Sequence, residues 1–168
     1  MSISGTPDST GAQVRTLRPR KPAGRVIVGV DGSASSVDAL HWAVEEALLR
    51  HAEVHAVIAW SVQGGFGDVW MVSPDIDYAA DARKAMDATL DHALGAHPDV
   101  TVHRHVVEGH PATALLRLAE PEDLIVLGSH GHGGFVGALI GSVSQRVASH
   151  AECPVVIVRR PKDTASGA

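Results

Sequence analysis

The sequence Arg25-Val-Ile-Val-Gly-Val-Asp31 is short, rich in β-branched residues and almost wholly apolar. Such a run is typical of a strand that is covered on both faces, as the strands of parallel sheets are. Residues 33–36 then supply serines that favour the start of a helix, and apolar side chains recur at helical spacing up to about His51. This stretch therefore predicts a buried strand followed directly by an amphipathic helix.

The same alternation continues along the chain. Further strands are predicted at 53–60, 100–107, 123–128 and 154–158, and further helices at 75–95, 111–120 and 142–150. The strand at 100–107 alternates polar and apolar side chains more clearly than the others, which favours a position near an edge of the sheet. Glycines and a proline between 61 and 74 predict a loop. Apolar strands that alternate with helices predict a mainly parallel sheet with helices on both faces.

The length of 168 residues fits one domain with a tail at each end. Residues 1–24 are rich in Ser, Thr, Gly, Pro and basic residues and show no apolar period, so we expect them to be disordered. We expect the same of residues 161–168, which leaves residues 25–160 as the folded domain. Apolar residues make up 45% and charged residues 20% of the chain, which is the balance of a globular protein.

Composition and charge also limit the kinds of binding partner and the cellular compartment that we expect. No apolar run approaches the ~18 residues of a membrane-spanning helix, and the N-terminus lacks the apolar stretch of a secretory signal. The net charge is −5, and four of the fourteen Lys and Arg residues lie in the first 24 residues, so the body is acidic and unlike a nucleic-acid surface. The single cysteine, Cys153, cannot form an internal disulfide. We therefore predict a cytoplasmic protein without a membrane or nucleic-acid partner.

Two segments are predicted to lie where a parallel sheet binds ligands, beyond the carboxyl ends of the strands. One is Gly29-Val-Asp31-Gly-Ser33, and the other is the glycine-rich stretch from Gly128 to Ser142. Glycines let backbone N–H groups approach phosphate oxygens, and the stretch leads into a helix whose N-terminus favours an anion. The residues therefore favour nucleotide binding over a plain flexible connector.

Asp31 and Ser142 carry polar side chains in these segments. Ser142 can cap the following helix or donate its hydroxyl group to a phosphate. Asp31 would repel phosphates unless a metal ion lay between them. We expect it either to accept hydrogen bonds from ribose hydroxyls or to help hold a divalent ion, with Mg²⁺ and Mn²⁺ as the candidates.

Three parts of the sequence together resemble one known family. The spacing Gly128-x2-Gly131-x9-Gly141-Ser142 is similar to the ATP-binding signature of the universal stress protein family. The opening Val26-Ile-Val-Gly-Val-Asp-Gly-Ser33 and the closing Cys153-Pro-Val-Val-Ile-Val158 also resemble that family. The resemblance covers about residues 25–160, which is nearly the whole predicted domain.

This resemblance implies an open five-stranded parallel sheet in the order 3-2-1-4-5, an adenine-nucleotide alpha-hydrolase-like fold. It also implies cytoplasmic residence, a homodimer formed through the last strand at Val155–Val158, and ATP or another adenine nucleotide as ligand. Asp31 would contact the ribose, and Ala59, placed by spacing at the end of strand two, would contact the adenine. The residues implied to hold the phosphates are Gly128, Gly131, Gly141 and Ser142. The neighbouring candidates for nucleotide binding are Gly29, Val30, Ser33, Leu127, Ser129, His130, His132, Gly133, Val143 and Ser144.

The predicted function is that of an ATP-binding, non-enzymatic stress-response protein without catalytic residues. A classical dinucleotide fold is disfavoured because Val136 stands where the third glycine of the loop would belong. The chain also has no Gly-x4-Gly-Lys-Ser/Thr motif, and without that lysine efficient phosphoryl transfer is not expected. Two alternatives stay open: a slow ATPase or nucleotidyl-transfer relative of the same fold, and a dimeric interaction scaffold without nucleotide.

The eleven histidines suggest a metal site only weakly. His103 and His105 share one face of a predicted strand, and His130 and His132 flank Gly131. A His-x-His pair without a third ligand nearby in sequence does not predict a zinc site, so no metal site is expected. Cys153 precedes a predicted strand and is expected to be a small buried side chain rather than a nucleophile.

Overall fold

The computed structural model describes residues 24–61, 77–95, 99–131 and 140–159. Within these ranges the elements are β1 (Val26–Gly29), α1 (Ala34–Arg50), β2 (Val54–Trp60), α2 (Tyr78–Leu94), β3 (Val102–Glu108), α3 (Pro111–Leu118), β4 (Leu124–Gly128), α4 (Ser142–His150) and β5 (Val155–Val158). The strands form one parallel sheet in the order β3-β2-β1-β4-β5. The parallel sheet, its order and the edge position of β3 are therefore confirmed. The predicted tails and the loop predicted at 61–74 lie almost entirely outside the described residues.

Several element ends differ from the prediction by up to three residues. α2 begins at Tyr78 rather than at residue 75 because Asp77 caps it, accepting a hydrogen bond from the amide of Ala80 at 2.9 Å. α3 ends at Leu118 rather than at residue 120 because Ala119 already has extended backbone with ψ 137°. Pro121 follows two residues later, and the position before a proline disfavours helix.

Each face of the sheet carries its own apolar core. Neighbouring residues of a strand point to opposite faces, so Val26 and Val28 pack on one side of the sheet and Ile27 packs on the other. The first core is completed by α1 and α2 and the second by α3 and α4, and the large fully buried side chains include Leu40, Val44, Met86, Leu90, Leu115, Ile125 and Val147. Burial of each of the larger of these side chains contributes about 1.5–3 kcal/mol. Helices on both faces are therefore confirmed.

Cys153 belongs to the second core, as the sequence predicts for a small buried side chain. Burial raises the pKa of its thiol, and the negative charge of Asp123 acts in the same direction. A thiol of this kind is a poor nucleophile at neutral pH.

No helix within the described ranges combines the length and the apolar character that a bilayer span needs.

Three histidines lie at the amino ends of β2 and β3. His55 of β2 is opposite His103 of β3 in the parallel register, and His105 lies two residues further along β3. Burial lowers the pKa of the His55 and His105 imidazoles, and the interactions with His103 and Arg25 lower it further. Because the ordinary value is about 6.5, both rings are neutral at pH 7.

An ion pair joins the amino ends of β1 and β4. The Arg25 guanidinium donates to Asp123 Oδ2 at 2.7 Å and to the Leu118 carbonyl at 2.9 Å, while the Arg25 amide donates to Asp123 Oδ1 at 2.8 Å. The Glu120 amide donates to Asp123 Oδ2 at 2.8 Å. Burial alone would raise the pKa of Asp123, which is 4% exposed, but these hydrogen bonds and the Arg25 charge outweigh burial and lower it. The pair thus fixes where both strands begin.

We expect Asp123→Asn to lower the free energy of unfolding at pH 7 by about 1.5–3 kcal/mol, because hydrogen bonds to a charged group are replaced by weaker ones. The folded pKa of Asp123 lies below the unfolded value near 4, so its contribution is complete above that value and is lost as the pH falls through the folded pKa. The difference between wild type and variant should therefore shrink in acid. Urea denaturation at a series of pH values measures it.

Asp87→Asn is the matched control, since Asp87 pairs with Arg104 at 3.1 Å on the exposed surface. A pair of that kind contributes about 0–1 kcal/mol. A difference between wild type and Asp123→Asn that stayed constant from neutral to strongly acidic pH would contradict the assigned ion pair.

Candidate functional site

The carboxyl ends of β1 and β4 lie side by side, since Val28 is opposite Val126 in the parallel register. From β1 the chain crosses through α1 to β2 on one side of β1, whereas β4 lies on the other side. The strand order reverses at this point, which is where open α/β sheets bind ligands. Residues 30–33 leave β1 here and residues 129–131 leave β4, so the two segments predicted from sequence meet at one crevice.

The Asp31 carboxylate lies at the mouth of this crevice. Its Oδ1 accepts hydrogen bonds from the Ser33 amide at 2.9 Å and from the Ser33 hydroxyl at 2.6 Å. Gly32 between them has φ 81°, a conformation that glycine adopts without strain. A Cβ atom added at Gly131 would lie 2.5 Å from Asp31 Oδ2, so the backbone of the second segment passes directly beside the carboxylate.

The end of β4 packs against the first turn of α1. A Cβ atom added at Gly128 would lie 2.6 Å from the Ser35 carbonyl oxygen and would also overlap the Ser35 hydroxyl. The His130 amide donates to that hydroxyl at 3.4 Å. This packing is sufficient to require glycine at position 128, independently of any ligand.

The N-terminus of α4 closes the other side of the crevice. Gly141 is its N-cap residue, and within the described part of the chain no side chain caps the helix with a hydrogen bond. The Gly141 amide donates to the Ser129 carbonyl at 2.7 Å, and the Ser144 hydroxyl donates to the Gly128 carbonyl at 2.7 Å. Since the first amides of a helix lack partners within the helix and its dipole is positive at that end, this terminus suits an anion.

The structure sorts the sequence-predicted binding residues into three groups. Those at the crevice are Asp31, Ser33, Gly128, Ser129, His130, Gly131, Gly141, Ser142 and Ser144. Those with side chains in the cores are Val30, Leu127 and Val143, and Gly29 lies against Leu127, where an added Cβ atom would be 2.5 Å from Cδ2. Ala59 lies near the end of β2, opposite Val107. His132 and Gly133 lie outside the described residues.

Sequence reasoning missed two contributors to this end of the sheet. Ser35 was interpreted only as part of a helix-capping run, whereas its hydroxyl and carbonyl shape the crevice at Gly128. Tyr78, at the start of α2, stacks on Trp60 with ring centroids 6.5 Å apart and planes inclined by 7°. Trp60, an aromatic residue at the end of a predicted strand, was a visible sign of a contact at this end of the sheet. Its partner Tyr78 was not predicted because it lies 18 positions away, beyond the predicted loop.

Comparison with known proteins adds family information to this geometry. Residues 23–159 match the model described as Universal stress protein family. Universal stress protein Rv1996 of Mycobacterium tuberculosis is 38% identical over 149 residues, which cover 87% of this chain and 47% of the relative. The chain thus spans about half the length of the curated relatives it matches.

Solved structures share the fold. A crystal structure of a universal stress protein in complex with cAMP is 28% identical, with a TM-score of 0.62 over 83% of this chain and 98% of that chain. UspA from Lactobacillus plantarum is 24% identical, with a TM-score of 0.66 over 83% of this chain and 99% of that chain. At the latter identity the likeness concerns the fold alone.

We expect Gly128→Ala to lower the free energy of unfolding by about 1–3 kcal/mol, because the added methyl group overlaps the Ser35 backbone and α1 must move. Gly141→Ala is the matched control, since its methyl group would lie 3.4 Å from the nearest atom, the Ser129 carbonyl oxygen, at an unstrained φ of −69°. That change should cost less, at most about 1 kcal/mol, because alanine is a poorer N-cap residue than glycine but meets no overlap here. Urea denaturation of both variants measures the difference, and equal stabilities would contradict the packing described for Gly128.

Proposed function

The chain belongs to the universal stress protein family, and on that premise we propose that it binds an adenine nucleotide, ATP above all, in the crevice between the segments after β1 and β4. The observation that carries the proposal is the approach of the Gly131 backbone to the Asp31 carboxylate beside the N-terminus of α4, which no described side chain caps. One crevice thus offers a hydrogen-bond acceptor for a sugar and a positive helix end for phosphates.

The ribose is assigned to Asp31. The Ser33 amide and hydroxyl orient this carboxylate through Oδ1, and a carboxylate has about four lone-pair directions, so it can accept further hydrogen bonds from ribose hydroxyls. Such charge-assisted bonds are the stronger kind of hydrogen bond. The acidic charge also selects a neutral sugar at this position over a phosphate.

The phosphates are assigned to the start of α4. The Ser142 hydroxyl is exposed there, next to Gly141, where an added Cβ atom would meet only ordinary contacts within the described chain. Mg²⁺ or Mn²⁺ would accompany the phosphates, because the phosphate oxygens and the Ser142 hydroxyl are the hard oxygen ligands that these ions prefer. The ion would add to the positive end of α4 in neutralising phosphate charge, since residues 128–144 contain no lysine or arginine.

The adenine is assigned to the end of β2. Ala59 is half-buried and small, and β2 is the immediate neighbour of β1 on the side away from β4. The next residue, Trp60, is held by its stacking on Tyr78. A related protein crystallised with cAMP makes cAMP a second candidate ligand for the same crevice.

We propose that the protein acts through whether a nucleotide is bound and not through a reaction of that nucleotide. The stretch 128–144 has no lysine to steady a transferring phosphate, which disfavours the slow ATPase or nucleotidyl-transfer alternative. The dimeric scaffold without nucleotide is disfavoured by Gly141, because nothing in the described packing requires glycine at that position.

We expect Asp31→Ala to weaken ATP binding by about 1–3 kcal/mol, the range for losing hydrogen bonds to a charged group. The loss should be smaller for 2′-deoxy-ATP and 3′-deoxy-ATP, because each lacks one hydroxyl that Asp31 would accept from. Isothermal titration calorimetry of folded wild type and variant with all three nucleotides measures both effects.

Asp91→Ala, an exposed aspartate on α2, is the control for the loss of one negative charge and should leave all three affinities unchanged. Absence of ATP and cAMP binding by wild type would overturn the proposal and favour the scaffold alternative. Equal losses across the three nucleotides would remove the ribose assignment and point to a metal-binding or structural role of Asp31.

We also propose that the chain forms a homodimer through β5. This strand is an edge of the sheet, and all four of its residues are half-buried although they are apolar. Among the described residues no strand pairs with the side of β5 that faces away from β4. An exposed apolar edge invites pairing, and a two-fold contact with a second copy is the commonest way to cover one.

Light scattering at micromolar concentration should show a wild-type dimer, and Ile157→Glu should shift it to monomer or to insoluble protein, because the charge would enter the interface. Val107→Glu, on the opposite edge strand β3, is the matched control and should leave the dimer intact. A wild-type monomer would contradict this interface while leaving the nucleotide crevice untouched.

A further inference from the structure

Four polar residues converge at the amino ends of β2 and β3, at the opposite end of β2 from Ala59. We call Glu53, His55, His103 and His105 the histidine cluster. A His-x-His pair such as His103 and His105 needs a third ligand to hold zinc. The sheet supplies it from the neighbouring strand, because His55 lies opposite His103 in the parallel register.

The cluster has the spacing of an ion site. His103 Nε2 lies 3.0 Å from Glu53 Oε2, and His55 Nε2 lies 4.0 Å from the same oxygen. The ligand atoms of Glu53, His55 and His103 all lie within 4.8 Å of one another. Ligands around a tetrahedral zinc ion, at bond lengths of about 2.0–2.2 Å, are about 3.3–3.6 Å apart. Small rotations of exposed side chains would therefore complete the geometry.

The buried nitrogen of His55 is the second observation. His55 is 9% exposed, and its Nε2 has no hydrogen-bond partner among the described residues, although buried polar atoms are almost always paired. The nitrogen lies 4.0 Å from Glu53 Oε2, and the ring centroids of His55 and His103 are 4.6 Å apart. An ion placed between these groups would occupy that lone pair.

His105 provides the outer support that a ligating histidine needs. His55 Nδ1 lies 2.9 Å from His105 Nε2. If His55 donates its Nδ1–H in this hydrogen bond, its Nε2 carries the lone pair that points at Glu53. A ligating imidazole that donates its other N–H to a neighbouring acceptor is the usual arrangement around protein-bound zinc.

We propose that Glu53, His55 and His103 bind a zinc ion, with His105 orienting His55. Three protein ligands of the types His and Glu, with a water molecule in the fourth position, are a known zinc set. Entry is open, since the side chains of Glu53 and His103 are 57% and 44% exposed. The nearby Arg25 guanidinium is held in its ion pair with Asp123, which offsets part of its repulsion of a cation. The ion would clamp the edge strand β3 to β2.

The test is calorimetric titration of Zn²⁺ into the full, untagged chain after treatment with a chelator. Wild type should bind one Zn²⁺ per chain, and His103→Asn and Glu53→Gln should each weaken that binding at least tenfold. Both residues are exposed, so neither change threatens the core. His92→Asn, an exposed histidine on α2, is the matched control and should bind like wild type. Co²⁺ should show the visible bands of a four-coordinate site in wild type and lose them in His103→Asn.

Four results would overturn the proposal, the last of them from competition with Mg²⁺. One is the absence of saturable Zn²⁺ binding by wild type. Another is binding that His103→Asn and Glu53→Gln leave unchanged. The third is binding that Asp31→Ala abolishes, which would place the ion at the nucleotide crevice. Mg²⁺ should not compete with Zn²⁺, because it prefers six oxygen ligands, and effective competition would contradict a nitrogen-rich site.

Discussion

The contact between the backbone of Gly128 and the first turn of α1 is the constraint on which the crevice depends. There is no room for a Cβ atom between Gly128 and the Ser35 carbonyl, so β4 ends directly against the helix that follows β1. The His130 amide continues the contact through the Ser35 hydroxyl. Because of this approach, the segments after β1 and β4 share one crevice rather than facing solvent separately. The same approach places the backbone of Gly131 beside the Asp31 carboxylate.

The two ends of the sheet carry different chemistry because its middle is sealed between two apolar cores. The carboxyl ends of β1 and β4 offer a carboxylate, serine hydroxyls and a helix N-terminus, which suit a polyanion with a sugar. The amino ends carry the Arg25–Asp123 ion pair and, further along the sheet, the imidazoles of the histidine cluster. Polar groups at the strand ends remain accessible without breaking either core. The fold can therefore hold two separate polar sites at a modest cost in stability.

Much of the fold could be predicted from the sequence because parallel strands buried on both faces leave a clear signal. The β-branched run at β1 and the serine-rich turn after it fixed the first strand and helix, but periodicity alone could not give the strand order, which the family resemblance supplied. Helix ends were missed where a side chain decides them, as Asp77 does for α2.

The site was predicted less completely, since the three loop glycines look alike in sequence. Only the structure distinguishes Gly128, which packs on Ser35, from Gly141, where an added Cβ atom would make only ordinary contacts with the described residues. The histidine cluster was missed because its members pair across strands, 50 positions apart in sequence.

The proposed nucleotide crevice and the proposed dimer edge are adjacent in the sheet. The Ser129 amide, at the start of the segment after β4, donates to the carbonyl of Val158, the last residue of β5, at 2.9 Å. Gly128 is opposite Val158 in the register of β4 and β5. A ligand that shifts the backbone at Ser129 would therefore act on the edge strand through one hydrogen bond. Linkage makes such coupling reciprocal: if nucleotide favoured the dimer by a given factor, dimerisation would tighten nucleotide binding by the same factor. Nucleotide affinity that is independent of protein concentration would mean that this hydrogen bond transmits no free energy between the two proposed sites.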